Sequence, residues 1–112
     1  MSQITTHILD TSAGKPAAGV TIHLQQFHKT GWENIASGIT NADGRIPNLL
    51  PEEIVLSPGV YTMVFETGSY FEEKKILAFY PTVRIEFETF DESHYHIPLL
   101  LNPFGYSTYR GS

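Results

Sequence analysis

The sequence predicts an all-β fold, an antiparallel β-sandwich of two sheets with one short helix. Short runs of alternating polar and apolar residues recur along most of the chain, which is typical of strands with one buried face. Turns rich in Gly, Pro, Asn and Asp separate the runs, and one stretch departs from the alternation. With 112 residues and no repeat or linker, we expect a single domain spanning residues 1–112.

The alternation places the strands in order. Seven segments are predicted strands: Ile4–Asp10, Val20–Phe27, Trp32–Thr40, Gly59–Glu66, Thr82–Thr89, His94–Leu101 and Phe104–Tyr109. A further short strand, the fourth in chain order, is expected between the Asn41–Arg45 turn and Pro58. Ser69–Ile76 breaks the alternation and predicts the helix, with Ser69 as its N-cap. Residues 11–19 are expected to form a loop.

Composition excludes several classes of function. The net charge of −5 is scattered and includes no basic stripe, which argues against a nucleic-acid partner. No apolar run approaches the ~18 residues that a membrane-spanning helix needs. There are no cysteines, so disulfides and a thiol nucleophile are excluded. The first residues lack the pattern of a secretory signal, and a cytoplasmic protein is expected.

Histidines on polar strand faces are the candidates for chemistry: His7, His23 and His96, with His94 on the same face as His96. A lone strand histidine is usually only a solvated side chain. However, His7 lies opposite an Ile-rich face and His96 lies in an apolar stretch. Histidine titrates near pH ~6.5 and can serve as base or acid. Arg45 stays charged and could stabilise an oxyanion.

Other chemistries compete with a histidine–arginine site. His94-Tyr-His96 with a third histidine has the composition of a catalytic zinc site. A serine triad is disfavoured, because neither Ser107 nor Ser112 lies in a Gly-Xaa-Ser-Xaa-Gly elbow. Phosphate-binding glycine loops are absent. The residues alone leave three interpretations open: metal-free hydrolysis, zinc hydrolysis and a purely structural sandwich.

The chain resembles the transthyretin-like 5-hydroxyisourate hydrolases along nearly its whole length. The resemblance is carried by these segments: Thr6–Asp10, Gly14–Ala17, Thr40–Arg45, Gly59–Thr62, Tyr70–Phe71, His94–Leu101 and Tyr106–Ser112. The final Tyr-Arg-Gly-Ser resembles the carboxy-terminal signature of the hydrolases. The hormone-binding transthyretins share the fold but lack this ending. The resemblance implies a transthyretin-like (prealbumin-like) sandwich of two four-stranded sheets with one short helix.

The same resemblance implies an activity in urate breakdown. The expected reaction opens the six-membered ring of 5-hydroxyisourate at an acyl C–N bond, giving 2-oxo-4-hydroxy-4-carboxy-5-ureidoimidazoline, without metal or other cofactor. The implied catalytic residues are His7, Arg45, His96 and Ser112. The implied substrate-binding residues are His7, Arg45, Tyr109, Arg110 and Gly111. The expected assembly is a homotetramer, a dimer of dimers.

A carrier of the transthyretin type is the alternative function. Such a protein would use the same sandwich to bind a small molecule in the central channel of the tetramer. This alternative leaves the His7, Arg45 and Tyr-Arg-Gly-Ser set unexplained, because polar groups in such a channel disfavour an apolar ligand.

Overall fold

A computed structural model describes residues 2–112 and contains two four-stranded β-sheets and one α-helix. The strands are β1 (Ile4–Asp10), β2 (Lys15–Pro16), β3 (Thr21–His28), β4 (Gly31–Ile39), β5 (Gly59–Phe65), β6 (Val83–Thr89), β7 (Tyr95–Asn102) and β8 (Gly105–Thr108). The helix α1 spans Thr67–Glu73. One sheet has the order β2-β1-β7-β8 and the other β4-β3-β5-β6. The predicted two-sheet sandwich with one short helix is therefore confirmed.

The hydrophobic core lies between the two sheets, and both contribute to it. Its fully buried residues include Ile4, Ile8 and Leu99 from the first sheet and Ile22, Tyr61 and Phe65 from the second. Along β1, burial alternates residue by residue, so Thr5 and His7 lie on the face turned away from the core. No helix in the described part of the chain is long and apolar enough to cross a membrane.

One pairing differs from the antiparallel expectation: β1 runs parallel to β7. The register places Thr5 beside His96 and His7 beside Pro98. The other strand pairs are antiparallel. Because β1 and β7 come from opposite ends of the chain, their pairing brings the amino-terminal and carboxy-terminal motifs onto one face.

The predicted fourth strand is wrong. Residues 46–58 contain turns and bends but no strand. Pro47, Pro51 and Pro58 each lack a backbone N–H and cannot donate to a ladder, while Leu49 and Leu50 are buried and anchor the segment. The count of eight strands is completed instead by the two-residue β2, which lies inside the expected 11–19 loop. β2 pairs with Leu9 and Asp10 at the end of β1.

The helix lies three residues earlier than predicted, since it begins at Thr67 and ends at Glu73. Its N-cap is Glu66, which makes no side-chain capping hydrogen bond, so Ser69 lies within the helix and is not its cap. Thr67, Tyr70 and Phe71 are buried at the i, i+3, i+4 spacing of one helix face. Burial of that face, rather than capping, therefore sets the position of the helix.

Candidate active site

Two histidines lie on the outer face of the β1–β7 pair. His7 on β1 and His96 on β7 are both partly exposed. Thr5 is the register partner of His96, and His7 follows two residues after Thr5 on the same face. Parallel pairing thus places the two imidazoles as diagonal neighbours, a distance that long side chains bridge.

The Asn41–Arg45 turn brings a guanidinium to His7. The Asn41 side-chain oxygen accepts hydrogen bonds from the backbone N–H groups of Asp43 and Arg45. The carbonyl of Gly44 accepts from the backbone N–H of Ile8 at 2.9 Å, which fixes the turn to β1. Gly44 has a φ of 73°, and a Cβ there would lie 2.4 Å from the Ile8 carbonyl, so the site requires glycine.

Arg45 contacts His7 directly. Its Nη2 lies 3.4 Å from Nδ1 of His7. A guanidinium has donors but no acceptor, so Nδ1 of His7 accepts and the hydrogen of the neutral ring lies on Nε2. The contact therefore favours the His7 tautomer that carries its hydrogen on Nε2.

The pKa values of both histidines are lowered. Burial lowers the pKa of His7, the Arg45 guanidinium lowers it further, and the Asp43 backbone carbonyl partly opposes them. Burial also lowers the pKa of His96, followed by the charges of Arg45, His94 and His7. That Arg45 and His7 both act on His96 shows that the three side chains share one electrostatic environment. Both shifts favour the neutral imidazole, the form that a general base needs.

Thr5 connects His96 to a further histidine. Its Oγ1 lies 2.7 Å from Nδ1 of His96 and 2.7 Å from Nε2 of His94. The two rings are nearly parallel, with centroids 6.2 Å apart and planes at 27°. Sequence reasoning missed Thr5, although its position two residues before His7 already placed it on the same face.

The carboxy-terminal segment packs against His96. The N–H of Gly111 donates to the carbonyl of His96 at 2.9 Å, and the two residues form an antiparallel bridge. A Cβ at position 111 would lie 2.5 Å from Cδ2 of the His96 ring. Glycine is therefore required for this close approach.

The rest of the tail lies beside a neighbouring cleft. Cζ of Arg110 is 4.4 Å from the ring centroid of Tyr95, a cation–π contact that anchors the tail. Arg110 and Tyr109 line a cleft of about 260 Å³ together with Phe87, Phe90 and His96 itself. Ser112 is exposed. The structure thus groups His7, Arg45, His96 and Gly111, and His96 also lines the cleft that contains Tyr109 and Arg110.

The remaining histidines lie elsewhere. His23 in the second sheet bonds Ser37 Oγ at 2.7 Å, and His28 pairs with Glu33 at the end of a hairpin. Across residues 2–112, no three His, Asp or Glu side chains are grouped so that they could hold a metal ion. The histidine triplet that the zinc alternative requires is therefore not assembled within this part of the chain.

Comparison with known proteins places this geometry in a family. A sequence profile described as the HIUase/Transthyretin family matches residues 4–111. A 5-hydroxyisourate hydrolase of Salmonella dublin is 48% identical over 110 residues, which cover 97% of this chain and 80% of that protein. The 5-hydroxyisourate hydrolase of Klebsiella pneumoniae superimposes with a TM-score of 0.85 and 38% identity, over 97% of this chain and 92% of that one.

A second similar solved structure is named a transthyretin and not a hydrolase. Sea bream transthyretin in complex with thyroxine matches with a TM-score of 0.91 and 34% identity, over 98% of this chain and 95% of that one. Relatives with both names thus share this architecture. The chain belongs to the HIUase/Transthyretin family.

Proposed function

We propose that this protein hydrolyses 5-hydroxyisourate, opening its six-membered ring at an acyl C–N bond to give 2-oxo-4-hydroxy-4-carboxy-5-ureidoimidazoline. The observation that carries the proposal is the grouping of His7, Arg45 and His96 on one outer sheet face. The names of the relatives from Salmonella dublin and Klebsiella pneumoniae support the choice of substrate.

In the proposed mechanism the two histidines have different roles. Nδ1 of His7 is occupied by Arg45, so His7 acts through Nε2–H as a hydrogen-bond donor. Nδ1 of His96 faces Thr5, which leaves Nε2 of His96 to take a proton from water. Arg45 stabilises the oxyanion that forms when this water attacks the ring carbonyl. Ser112 and the substrate-binding roles of Tyr109, Arg110 and Gly111 remain part of the proposal.

The polar site favours a hydrolase over a carrier. A pocket for an apolar ligand is lined mainly by apolar side chains, with few polar groups. Here two imidazoles and a guanidinium share one face, and burying them under an apolar ligand would cost free energy. These groups instead suit a planar, polar substrate with carbonyl oxygens.

We also propose that the protein assembles as a homotetramer, a dimer of dimers. β6 and β8 are the last strands of their sheets and offer unpaired backbone groups. Large aromatic side chains are exposed beside them, notably Phe90 at 69% and Phe104 at 65%. Light scattering coupled to size-exclusion chromatography tests this: a mass of four chains is expected, and a monomer at micromolar concentration would contradict it.

The activity is tested by generating 5-hydroxyisourate in situ from urate and following its ultraviolet decay. The protein should accelerate the decay, and His96→Ala should lower kcat by about 10²–10⁴-fold, the usual contribution of a positioned base. His23→Ala is the matched control, because His23 is also a strand histidine bonded to a hydroxyl but lies in the other sheet. A His96→Ala protein with near-full kcat would refute the assignment, and an inactive wild-type protein would refute the function.

A further inference from the structure

Thr5 contacts two histidine side chains, and the hydrolysis mechanism proposed above gives its hydroxyl no role. Its single hydroxyl lies 2.7 Å from a nitrogen of each of two imidazoles, Nδ1 of His96 and Nε2 of His94. A hydroxyl has one hydrogen to donate, so it can donate to only one of these nitrogens and must accept from the other. The two neutral rings are therefore held in complementary states: one facing nitrogen carries a hydrogen and the other does not.

We propose that Thr5 and His94 form a proton relay behind His96, setting its tautomer and carrying its positive charge to the protein surface. This inference rests on the proposed function, because it gives His96 the role of base. Thr5 and His94 are then positioning residues, since they act through His96.

The relay can be followed proton by proton. Before reaction, His96 Nδ1–H donates to Thr5, and the Thr5 hydroxyl donates to His94 Nε2, which leaves His96 Nε2 with a free lone pair. When Nε2 takes a proton from the attacking water, His96 becomes an imidazolium. Its Nδ1 proton then moves to Thr5 Oγ1 as the Thr5 proton moves to His94 Nε2. His96 is neutral again with Nε2–H, and the positive charge is on His94.

The second half of the reaction reverses the path. His96 Nε2–H protonates the departing ring nitrogen, while the His94 imidazolium returns its Nε2 proton through Thr5 to His96 Nδ1. His94 is then neutral with its hydrogen on Nδ1, and His96 again carries its hydrogen on Nδ1, which restores the starting state. The proton taken from water ends on the departing nitrogen, so the balance of hydrolysis is kept.

The surroundings of His94 suit an exit to solvent. His94 is exposed, whereas His96 is only partly exposed. His94 also lines a cleft of about 230 Å³ together with Glu92 and Gln3, and neither His7 nor Arg45 lines that cleft. Its charge can therefore reach water without crossing the substrate position.

The second sheet contains a similar histidine–hydroxyl pair, His23 and Ser37, that cannot form a proton relay. His23 Nδ1 lies 2.7 Å from Ser37 Oγ, and the other side-chain partner of that hydroxyl is the amide nitrogen of Asn34 at 3.1 Å. An amide is not a proton acceptor at neutral pH. Ser37→Ala therefore removes a histidine–hydroxyl contact of the same kind with no expected effect on turnover.

Kinetics of the full chain test the relay. Thr5→Val removes the hydroxyl while keeping the β-branched shape, and it should lower kcat about 10- to 100-fold, part of the ~10²–10⁴-fold that a positioned base provides. KM should stay within about twofold, while Thr5→Ser and Ser37→Ala should stay near wild type. His94→Gln should also lower kcat, and the double variant should be no slower than the slower single variant, because both act in one path.

Nitrogen-15 NMR of the imidazoles provides a readout that does not depend on substrate. In the wild-type protein the His96 ring should carry its hydrogen on Nδ1, and Thr5→Val should shift the population towards Nε2–H, whereas Thr5→Ser should not. Equal kcat in Thr5→Val and Thr5→Ser, or unchanged His96 nitrogen shifts in Thr5→Val, would overturn the relay. Failure of wild-type hydrolysis would refute the proposed function, whereas the NMR comparison separately decides whether Thr5 sets the tautomer of His96.

Discussion

The backbone of Gly111 lies against the imidazole of His96, so closely that an added Cβ would lie 2.5 Å from Cδ2 of the ring. The same glycine donates its N–H to the carbonyl of His96. The position of the candidate base therefore depends on a residue that follows it by fifteen positions.

Gly111→Ala should lower kcat about 10²-fold while leaving the fold and assembly intact. The new methyl group must displace either the His96 ring or the tail, and misplacement of a reacting group by about 1 Å can cost that much. Gly105→Ala is the control, since its Cβ would meet only the Asn102 side chain at 3.7 Å or more. If Gly111→Ala and Gly105→Ala have the same kcat, the contact does not position the base.

Arg45→Gln should change the pH dependence as well as the rate. Arg45 lowers the pKa of both His7 and His96, although burial is the larger cause for each. A base must be neutral, so a lowered pKa extends activity to lower pH. Removing Arg45 should move the acidic limb of kcat/KM part of the way to higher pH, and loss of an oxyanion donor should lower kcat about 10²–10³-fold.

The pH–rate profile of Arg45→Gln is compared with that of Arg84→Gln. Arg84 is exposed on β6 of the other sheet, so its removal changes net charge equally without touching the site. An acidic limb that moves equally in both variants would show a general charge effect and contradict the role of Arg45.

The buried Asp10–Tyr70 pair should make stability depend on pH. The Tyr70 hydroxyl donates to Asp10 Oδ2 at 2.7 Å, and Asp10 is only 1% exposed. Burial raises the pKa of Asp10, but hydrogen bonds from Ser12, Tyr70 and the backbone of Ala13 outweigh it, and the net pKa is lowered. A carboxyl with a lowered folded-state pKa contributes stability above its unfolded pKa of about 3.9 and loses it as pH falls through the folded value.

Asp10→Asn should therefore lower the free energy of unfolding by about 1.5–3 kcal/mol at pH 7, the usual value of a hydrogen bond to a charged group. The difference in the free energy of unfolding between Asp10→Asn and wild type should become smaller below pH ~4. Urea unfolding at fixed protein concentration measures both, and Tyr70→Phe, which removes one donor but keeps the carboxylate, should cost less. A stability difference that is unchanged from pH 7 to pH 2 would contradict the proposed link between the Asp10 carboxylate and stability.

Activity should survive exhaustive chelation. The proposed steps use imidazoles and a guanidinium, and the described residues form no cluster of three metal ligands. Dialysis against a strong chelator followed by the ultraviolet assay is the measurement, with elemental analysis of the dialysed protein. Loss of activity that added zinc restores would favour the zinc alternative instead.

Local patterns predicted much of the fold, and their failures share one cause. The alternation along Val83, Arg84 and Ile85 correctly assigned the inner and outer faces of β6, because side-chain direction in a strand has a fixed period. The helix boundaries were missed because burial of Tyr70 and Phe71 outweighs the capping preference of Ser69. The strand expected in residues 46–58 was missed because prolines and buried leucines make that segment a packed loop.

The sequence by itself determined the two-sheet sandwich, through alternation and turn chemistry, and it determined which residues resemble a hydrolase site, His7, Arg45 and His96 among them. Only the tertiary structure decided the parallel register that places Thr5 beside His96, 91 positions away, and between two imidazoles. It also decided that Arg110 packs on Tyr95 and lines the 260 Å³ cleft with Phe87 and Phe90. The physical reason is that alternation assigns a face to each residue, whereas the pairing of distant strands depends on how the whole core closes.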